Sequence, residues 1–389
     1  MLLVDYSVGF GGAIKSLGLV SHAMAGVSPR VLTCQEPSEI QRWYAGFPVH
    51  RFRTTVNYRS LGRVRDRVPA GVLGRFAMKG IAGVDLLATG WNLLRVRALL
   101  RRYPVDVAHL NNGIAPPEAL HAVHAAGVPC VVHMRGFPSP KEVRRAAQRV
   151  RKIIAISRSI AQAVAAGGFP AQDTPIVWDP VDLDLFARTA TERAAVRARL
   201  GLRNADVAVG IFGRVVRWKG QLEFVRAALR VLKAGLPIRP VVVGDVSDGR
   251  ADYLEEVRSL ALGSPYADRF VFAGYQPEPA PYYHAMDVVV HASIEPEPFG
   301  MVVPEGMAAG KAVIGAAAGG PGEVIEPGVD GVLTPPGDVA ALADAIARVA
   351  QDAAFRAALG ARAHAKARAR FSIAQAASQT LAVWEAALR

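Results

Sequence analysis

The sequence predicts an α/β protein of two doubly wound domains, and three observations carry that prediction. The chain has 389 residues, long for a single domain of roughly 100–200 residues. Hydrophobic residues make up 51% and charged residues 20%, enough for two cores and incompatible with general disorder. Short strand-like apolar runs alternate with alanine-rich helical segments along the chain. That alternation is the signature of parallel sheets covered by helices on both faces.

In the first half the strand-like runs are Met1–Val4, Val105–Leu110, Pro129–His133 and Lys152–Ile156, with helical stretches at Pro117–Ala126 and Arg158–Ala166. The junction falls near Trp178–Leu202, where a turn-like DPVDLD segment precedes a charged helix and the stop at Gly201. The second half repeats the scheme with runs at Val207–Phe212, Pro240–Val243, Phe270–Phe272, Asp287–His291, Ala312–Gly315 and Gly331–Leu333. Helical patterns at Leu222–Ala234, Ala251–Leu262, Met301–Ala309 and Val339–Ala350 separate them. One more helix, Ser372–Leu388, has apolar faces to bury.

Two cysteines, Cys34 and Cys130, without CxxC or zinc-like Cys/His spacing, fit a reducing cytoplasm. The start, MLLVDYSVGFGG, lacks the basic region of a secretory signal. The apolar patch Ile81–Leu94 is broken by Asp85, Gly90 and Asn92, short of the ~20 residues of a spanning helix. The expectation is a cytoplasmic protein, free or resting on the inner face of the cytoplasmic membrane. The net charge is +13 and is concentrated. Twelve basic residues lie in residues 51–102 (Arg51, Arg53, Arg59, Arg63, Arg65, Arg67, Arg75, Lys79, Arg95, Arg97, Arg101 and Arg102), opposed only by Asp66 and Asp85. Such a patch attracts phosphate-rich partners, although solvated arginine faces would give the same count.

Ligands of open parallel sheets bind beyond the carboxyl ends of the strands, where loops and helix starts supply free amides. Four segments qualify. Gly9-Phe10-Gly11-Gly12 follows the first strand; its glycines let an anion approach the backbone, or merely make a tight turn. In Gly213-Arg214-Val215-Val216-Arg217-Trp218-Lys219-Gly220, two cations leave a buried strand between glycines and suit a diphosphate whose charge grows as its bond breaks. In Glu297-Pro298-Phe299-Gly300-Met301-Val302-Val303-Pro304-Glu305, two carboxylates flank a turn at a helix start. Carboxylates accept hydrogen bonds from the vicinal hydroxyls of a sugar or ribose; acids serving a helix dipole would explain one of them, not both. In PCVVHMRG, His133 leaves an apolar strand, where a packed structural histidine is the plainer reading.

Together these segments resemble the retaining GT-B glycosyltransferases of family 4, the E-x7-E type. The motif here is EPFGMVVPE, within DVVVHASIEPEPFGMVVPEGMAAGKAVIGAAAGGPGEVI, accompanied by GRVVRWKG, VVVGD at 241–245 and VFAGY at 271–275. In the first half GFGGA, HLNNG…GVPCVVHMRG and IIAISRSIA fall in the family's order. The resemblance implies two Rossmann-like domains facing a central cleft. Residues 1–185 would bind the acceptor, the helix 371–389 would cross back onto them, and residues 186–370 would bind the nucleotide-sugar. It assigns Arg214 and Lys219 to the donor diphosphate, with an amide of Gly12, and Glu305 to the ribose. Glu297 would hold the transferred sugar. Phe299, Gly300, Met301 and Val302 would line sugar and phosphate, and Gly274 and Tyr275 would meet the base. His133 would stand near the reacting centre, so that His133, Arg214, Lys219 and Glu297 form the catalytic set. Where relatives have Asn-Gly-Val-Asp at the junction, this chain has Asp179-Pro180-Val181-Asp182.

The activity implied is transfer of a sugar, with retention, from a UDP- or GDP-sugar to a glycan or lipid-linked acceptor of bacterial-type polysaccharide or glycolipid biosynthesis. No cofactor or metal is implied, and Asp182 and Asp184 are read as helix-start acids. The basic residues 51–102 would meet an anionic membrane surface. A sugar-nucleotide epimerase or phosphorylase of the same build is the nearer alternative. A nicotinamide oxidoreductase reading fails because the chain lacks the G-x-G-x-x-G fingerprint. A nucleic-acid-binding module has too few aromatics among its cations, so no nucleic acid is expected.

Overall fold

The computed structural model describes residues 1–5, 12–34, 42–51, 89–114, 117–187, 190–246 and 251–389. The chain forms two compact units. The first holds Met1–Ile156, Ile160–Val177 and Ala377–Arg389; the second holds Ser157–Ser159 and Trp178–Ala376.

The first unit is built on a parallel sheet of six strands: β1 (Leu2–Asp5), β2 (Arg30–Thr33), β3 (Val49–Arg51), β4 (Ala108–Asn111), β5 (Cys130–Met134) and β6 (Lys152–Ala155). Their order is β3-β2-β1-β4-β5-β6, and every pairing is parallel. The four inner strands, β2, β1, β4 and β5, are buried almost throughout, as expected where helices cover both faces. The C-terminal helix Ile373–Leu388 brings Trp384 into this core, where its Nε1 donates to His109 Nδ1 at 3.0 Å.

The second unit repeats the plan with β7 (Val207–Phe212), β8 (Ile238–Val243), β9 (Val271–Gly274), β10 (Val288–His291), β11 (Ala312–Ala316) and β12 (Val332–Thr334). The order is β12-β11-β10-β7-β8-β9, again all parallel. The helix Gln221–Lys233 closes one face, burying Phe224, Val225, Ala228, Val231 and Leu232 against Val209, Ile211, Val288 and Val290. In both sheets the winding reverses between the first and fourth strands, at β1/β4 and at β7/β10. A crevice opens at the carboxyl ends of the strands at such a point, and ligands of doubly wound folds bind there. Two Rossmann-like domains are therefore present, as the alternation of strand and helix patterns implies.

Residues 89–102 form a helix anchored by Asn92, Val96 and Leu99, which recur at helical spacing and are buried. Asn92 Nδ2 donates to Glu118 Oε1 at 3.3 Å, tying it to the helix Pro117–Ala125. The outward face presents Trp91, Leu94, Arg95, Arg97, Arg101 and Arg102. Gly9, Phe10, Gly11 and the basic residues Arg53, Arg59, Arg63, Arg65, Arg67, Arg75 and Lys79 lie outside the described residues.

Candidate active site

The β7/β10 switch point of the second unit gathers the site. After β7, Gly213 N–H donates to Val243 O at 3.0 Å and Val215 N–H to Asp245 O at 2.9 Å, so the loop carrying Arg214 runs along the end of β8. Gln221 Nε2 donates to Arg214 O at 2.9 Å and fixes that backbone from the next helix. The Arg214 guanidinium is left exposed. A single turn, Arg217–Lys219, then delivers Lys219, and Ile294 N–H donates to Trp218 O at 2.9 Å, joining this loop to the one after β10.

Gly220 makes that junction sterically feasible. Its φ is +73°, and a Cβ there would lie 1.9 Å from Ala292 O. Since the obstacle is backbone, Gly220→Ala should cost at least ~2 kcal/mol of stability. Denaturant midpoints of the two proteins measure it, and equal midpoints would contradict the packing described.

Glu297 is the hub of the site. Its Oε1 accepts from Lys219 Nζ at 2.6 Å and from His291 Nε2 at 2.7 Å, and also from Ser293 Oγ. Its carbonyl accepts from Gly320 N–H at 2.9 Å. Burial alone would push the carboxyl up, but hydrogen bonding and charge from His291 and Lys219 outweigh it and hold the group well below the usual carboxylate range. Lys219 is the complement. Burial lowers its ammonium most, Glu297 and Glu305 oppose that effect, and Arg214 adds to it. These four groups therefore share one electrostatic field. Although Lys219 leaves the strand on a glycine-flanked loop, its side chain is 15% exposed and ion-paired because the turn at Gly220 directs it inward.

The Pro-Phe-Gly turn places Phe299 in the core, edge-on to Phe371 with ring centroids 5.9 Å apart. Gly300 has φ +75°, and a Cβ there would meet Pro321 Cγ at 2.7 Å. The helix Val302–Ala308 then carries Glu305, whose Oε2 accepts from Tyr283 OH at 2.8 Å. Tyr283 is stacked on Phe212 at 3.8 Å with 6° between the ring planes, so the strand that ends beneath Arg214 also braces the partner of Glu305. Met301 precedes the helix and Val302 opens it. Gly274 ends β9 and its carbonyl accepts from Gly244 N–H at 2.9 Å, while Tyr275 is 63% exposed beyond it.

The remaining sequence-derived residues, Gly12 and His133, belong to the first unit. Gly12 opens the helix Gly12–His22. His133 lies in β5, buried, with its ring 5.4 Å from that of His109. Burial, aided by Arg135 and His109, pushes the His133 imidazole well below its ordinary value; burial and Arg135 take His109 down to about 3. Both rings are buried neutral. Below pH ~6.5 the unfolded chain takes up protons the fold excludes, so stability falls as pH falls, by ~1.4 kcal/mol per unit for each ring. His109→Phe should flatten the acid slope of unfolding free energy between pH 6.5 and 4.5 by about one such increment. An unchanged slope would mean His109 is not held neutral.

Sequence reasoning missed His291, Ser293 and Tyr283. His291 ends an apolar strand six residues before Glu297, which was the available signal. Tyr283 offered none, because its link to Glu305 exists only in three dimensions.

Residues 206–352 match the family model of glycosyl transferases group 1, and residues 22–185 match that of glycosyltransferase family 4. A lipopolysaccharide core biosynthesis mannosyltransferase, LpcC of Rhizobium leguminosarum bv. viciae, is 30% identical over 65% of this chain and 71% of its own length. The chain belongs to glycosyltransferase family 4. This family member is also 34% identical to the D-inositol 3-phosphate glycosyltransferase of Kribbella flavida over 50% of its own chain, a match that spans 46% of that relative's length. Among solved structures, HepE of Anabaena in complex with UDP superposes on the family 4 chain with a TM-score of 0.81 at 26% identity, covering 99% of both chains. The same protein in complex with UDP-glucose gives 0.78 at 25% identity. These neighbours are GT-B glycosyltransferases in fold, and the family 4 chain shares that fold.

Proposed function

We propose that this protein is a retaining glycosyltransferase that moves a sugar from a UDP- or GDP-sugar to a glycan or lipid-linked acceptor in bacterial-type polysaccharide or glycolipid biosynthesis. The observation that carries the reading is the set Arg214, Lys219, Glu297 and Glu305 at the β7/β10 switch point. Two cations match a diphosphate, and two carboxylates match the vicinal diols of a ribose and a sugar. The UDP and UDP-glucose held by HepE of Anabaena favour the uridine donor.

In the reaction the bond from the anomeric carbon to the diphosphate oxygen breaks, and its electron pair leaves on the diphosphate. Arg214 and Lys219 stabilise that growing charge, the contribution that preorganised electrostatics makes best. The acceptor hydroxyl attacks the same face, and its proton passes to the departing phosphate oxygen. Glu305 holds the ribose, Glu297 orients the transferred sugar, and His133 contributes a polar contact near the reacting carbon. Phe299, Gly300, Met301 and Val302 line sugar and phosphate, Gly274 and Tyr275 meet the base, and Gly12 adds an amide. Incubation with UDP- and GDP-sugars and a membrane glycolipid extract, with the anomeric configuration of the product read by NMR, tests the proposal. An inverted product would refute retention, and no transfer from any donor would refute the function.

A lipid-linked or membrane-proximal glycan acceptor would place the protein at a membrane surface, and the helix 89–102 supports that. Trp91 and Leu94 are 60% and 59% exposed beside Arg95, Arg97, Arg101 and Arg102, a composition suited to an anionic bilayer interface. Each arginine near such a surface contributes about 1 kcal/mol. Among the described residues no helix is long and apolar enough to cross a membrane, so attachment would be peripheral. Sedimentation should show binding to vesicles rich in anionic lipid that weakens at high salt. Equal binding to neutral vesicles, or none to either kind, would contradict it.

A further inference from the structure

The carboxyl edge of the first sheet carries a chain of buried polar groups whose mutual hydrogen bonds fix the donor and acceptor at each link. Tyr44 OH donates to Asp5 Oδ2 at 2.6 Å, and Asn111 Nδ2 donates to Asp5 Oδ1 at 3.4 Å. Asn111 Oδ1 accepts from Arg135 Nε at 2.8 Å. The amide cannot be reversed, since that would aim its NH2 at a guanidinium and its oxygen at a carboxylate. Arg135 NH2 then reaches His133 Nδ1 at 3.3 Å. A guanidinium has donors and no acceptor, so His133 Nδ1 must offer its lone pair, and the ring proton must sit on Nε2. That Nε2 is buried and has no protein partner among the described residues.

His109 obeys the same rule. The indole of Trp384 is donor-only, so His109 Nδ1 accepts and its Nε2 carries the proton. Among the described residues, the groups that meet the His133 ring are Arg135 from its own strand end, His109 from β4 and, behind His109, Trp384 from the C-terminal helix. None of these can accept the proton of Nε2 in the arrangement seen. Asp5, the carboxylate of this cluster, lies at the far end of the chain of hydrogen bonds, taken up by Tyr44 and Asn111.

We propose that Arg135 is a positioning residue that locks His133 as the neutral Nε2–H tautomer, so that His133 serves the transfer as a fixed hydrogen-bond donor to a sugar or acceptor oxygen and not as a proton-abstracting base. The proposal rests on the glycosyltransferase reading for the identity of that oxygen. The tautomer itself rests on the geometry alone. A base would need a bare Nε2, and producing one would require Nδ1–H to point at a guanidinium. Leaving the acceptor's proton to the departing phosphate oxygen is consistent with a histidine that has no lone pair to offer there.

The test uses the full chain labelled with 15N in its histidine rings, at neutral pH, with the His133 resonances assigned by their loss in His133→Gln. Long-range 1H–15N correlations should show a protonated Nε2 and a bare Nδ1. In Arg135→Met the ring should shift towards Nδ1–H or imidazolium, and kcat for sugar transfer should fall by about tenfold or more with KM for the nucleotide-sugar within about twofold, the signature of a contact made in the transition state. Arg135→Lys, whose single ammonium cannot span Asn111 and His133 as the fork does, should show the same change. A wild-type ring found as Nδ1–H or as imidazolium overturns the proposal whether or not either variant folds. An unchanged tautomer in both variants overturns the role of Arg135. A shifted tautomer with undiminished transfer overturns the role of the donor. If the wild-type protein transfers no sugar while the spectrum is as expected, the function fails and the tautomer assignment stands.

Discussion

Arg214→Ala is expected to lower turnover of a nucleotide-sugar by roughly 10²–10³ while leaving the denaturant midpoint nearly unchanged, by analogy with the loss of one preorganised charge-stabilising donor. The stability half of that expectation follows from exposure: Arg214 is exposed beyond the end of β7, and the hydrogen bond from Gln221 Nε2 reaches its backbone carbonyl, which the substitution keeps. Lys219→Ala should behave differently. It removes one partner of a buried ion pair and leaves Glu297 with only His291 and Ser293, so about 3–5 kcal/mol of stability should go with the activity. Initial rates of nucleoside diphosphate release, set beside unfolding curves, separate the two cases. An Arg214→Ala protein that turns over normally would remove the arginine from the donor site.

Glu305→Ala should weaken binding of the free nucleoside diphosphate about 10- to 100-fold, the cost of losing charge-assisted hydrogen bonds to a ribose. Glu297→Gln should leave that affinity within about threefold and lower sugar transfer instead, because its partners are conserved in shape and only the charge is lost. The isosteric change is the sharper one here, since Glu297→Ala would also strand Lys219. Calorimetry with nucleotide alone and with nucleotide-sugar reads both variants. The opposite pattern would mean that the two carboxylates exchange roles.

Much of this was legible from residue patterns, and the failures have physical causes. Val207–Phe212, Arg158–Ala166 and Ala251–Leu262 are formed as their apolar periodicity predicts. β2 and β3 were not recognised because Arg30–Thr33 and Val49–Arg51 are short and begin or end on a cation. The helix Ala353–Arg370 was missed because its buried side is small, Leu359, Gly360, Ala363 and Ala367, and shows no apolar stripe among its arginines. The helix Pro140–Ala147 did carry a signal, the Ser139/Glu142 capping box. In the site, the loops that could be found were those whose residue types are costly anywhere else: glycines with cations, and paired carboxylates around a turn. The groups that hold them, His291, Ser293 and Tyr283, look like ordinary core residues until the strand order brings β7 beside β10.

On the proposed function, the β7/β10 switch point binds a sugar nucleotide through its diphosphate. Thermal unfolding of wild-type and Arg214→Ala protein with a panel of UDP, GDP, UDP-sugars, GDP-sugars, NAD and NADP tests it most directly, since a ligand bound only by the folded state raises the melting point. At least one sugar nucleotide of the uridine or guanosine series should raise the melting point of the wild type, with a clearly smaller rise in Arg214→Ala and none from the nicotinamide dinucleotides. Stabilisation by NAD or NADP alone, or an equal rise in both proteins, would contradict it.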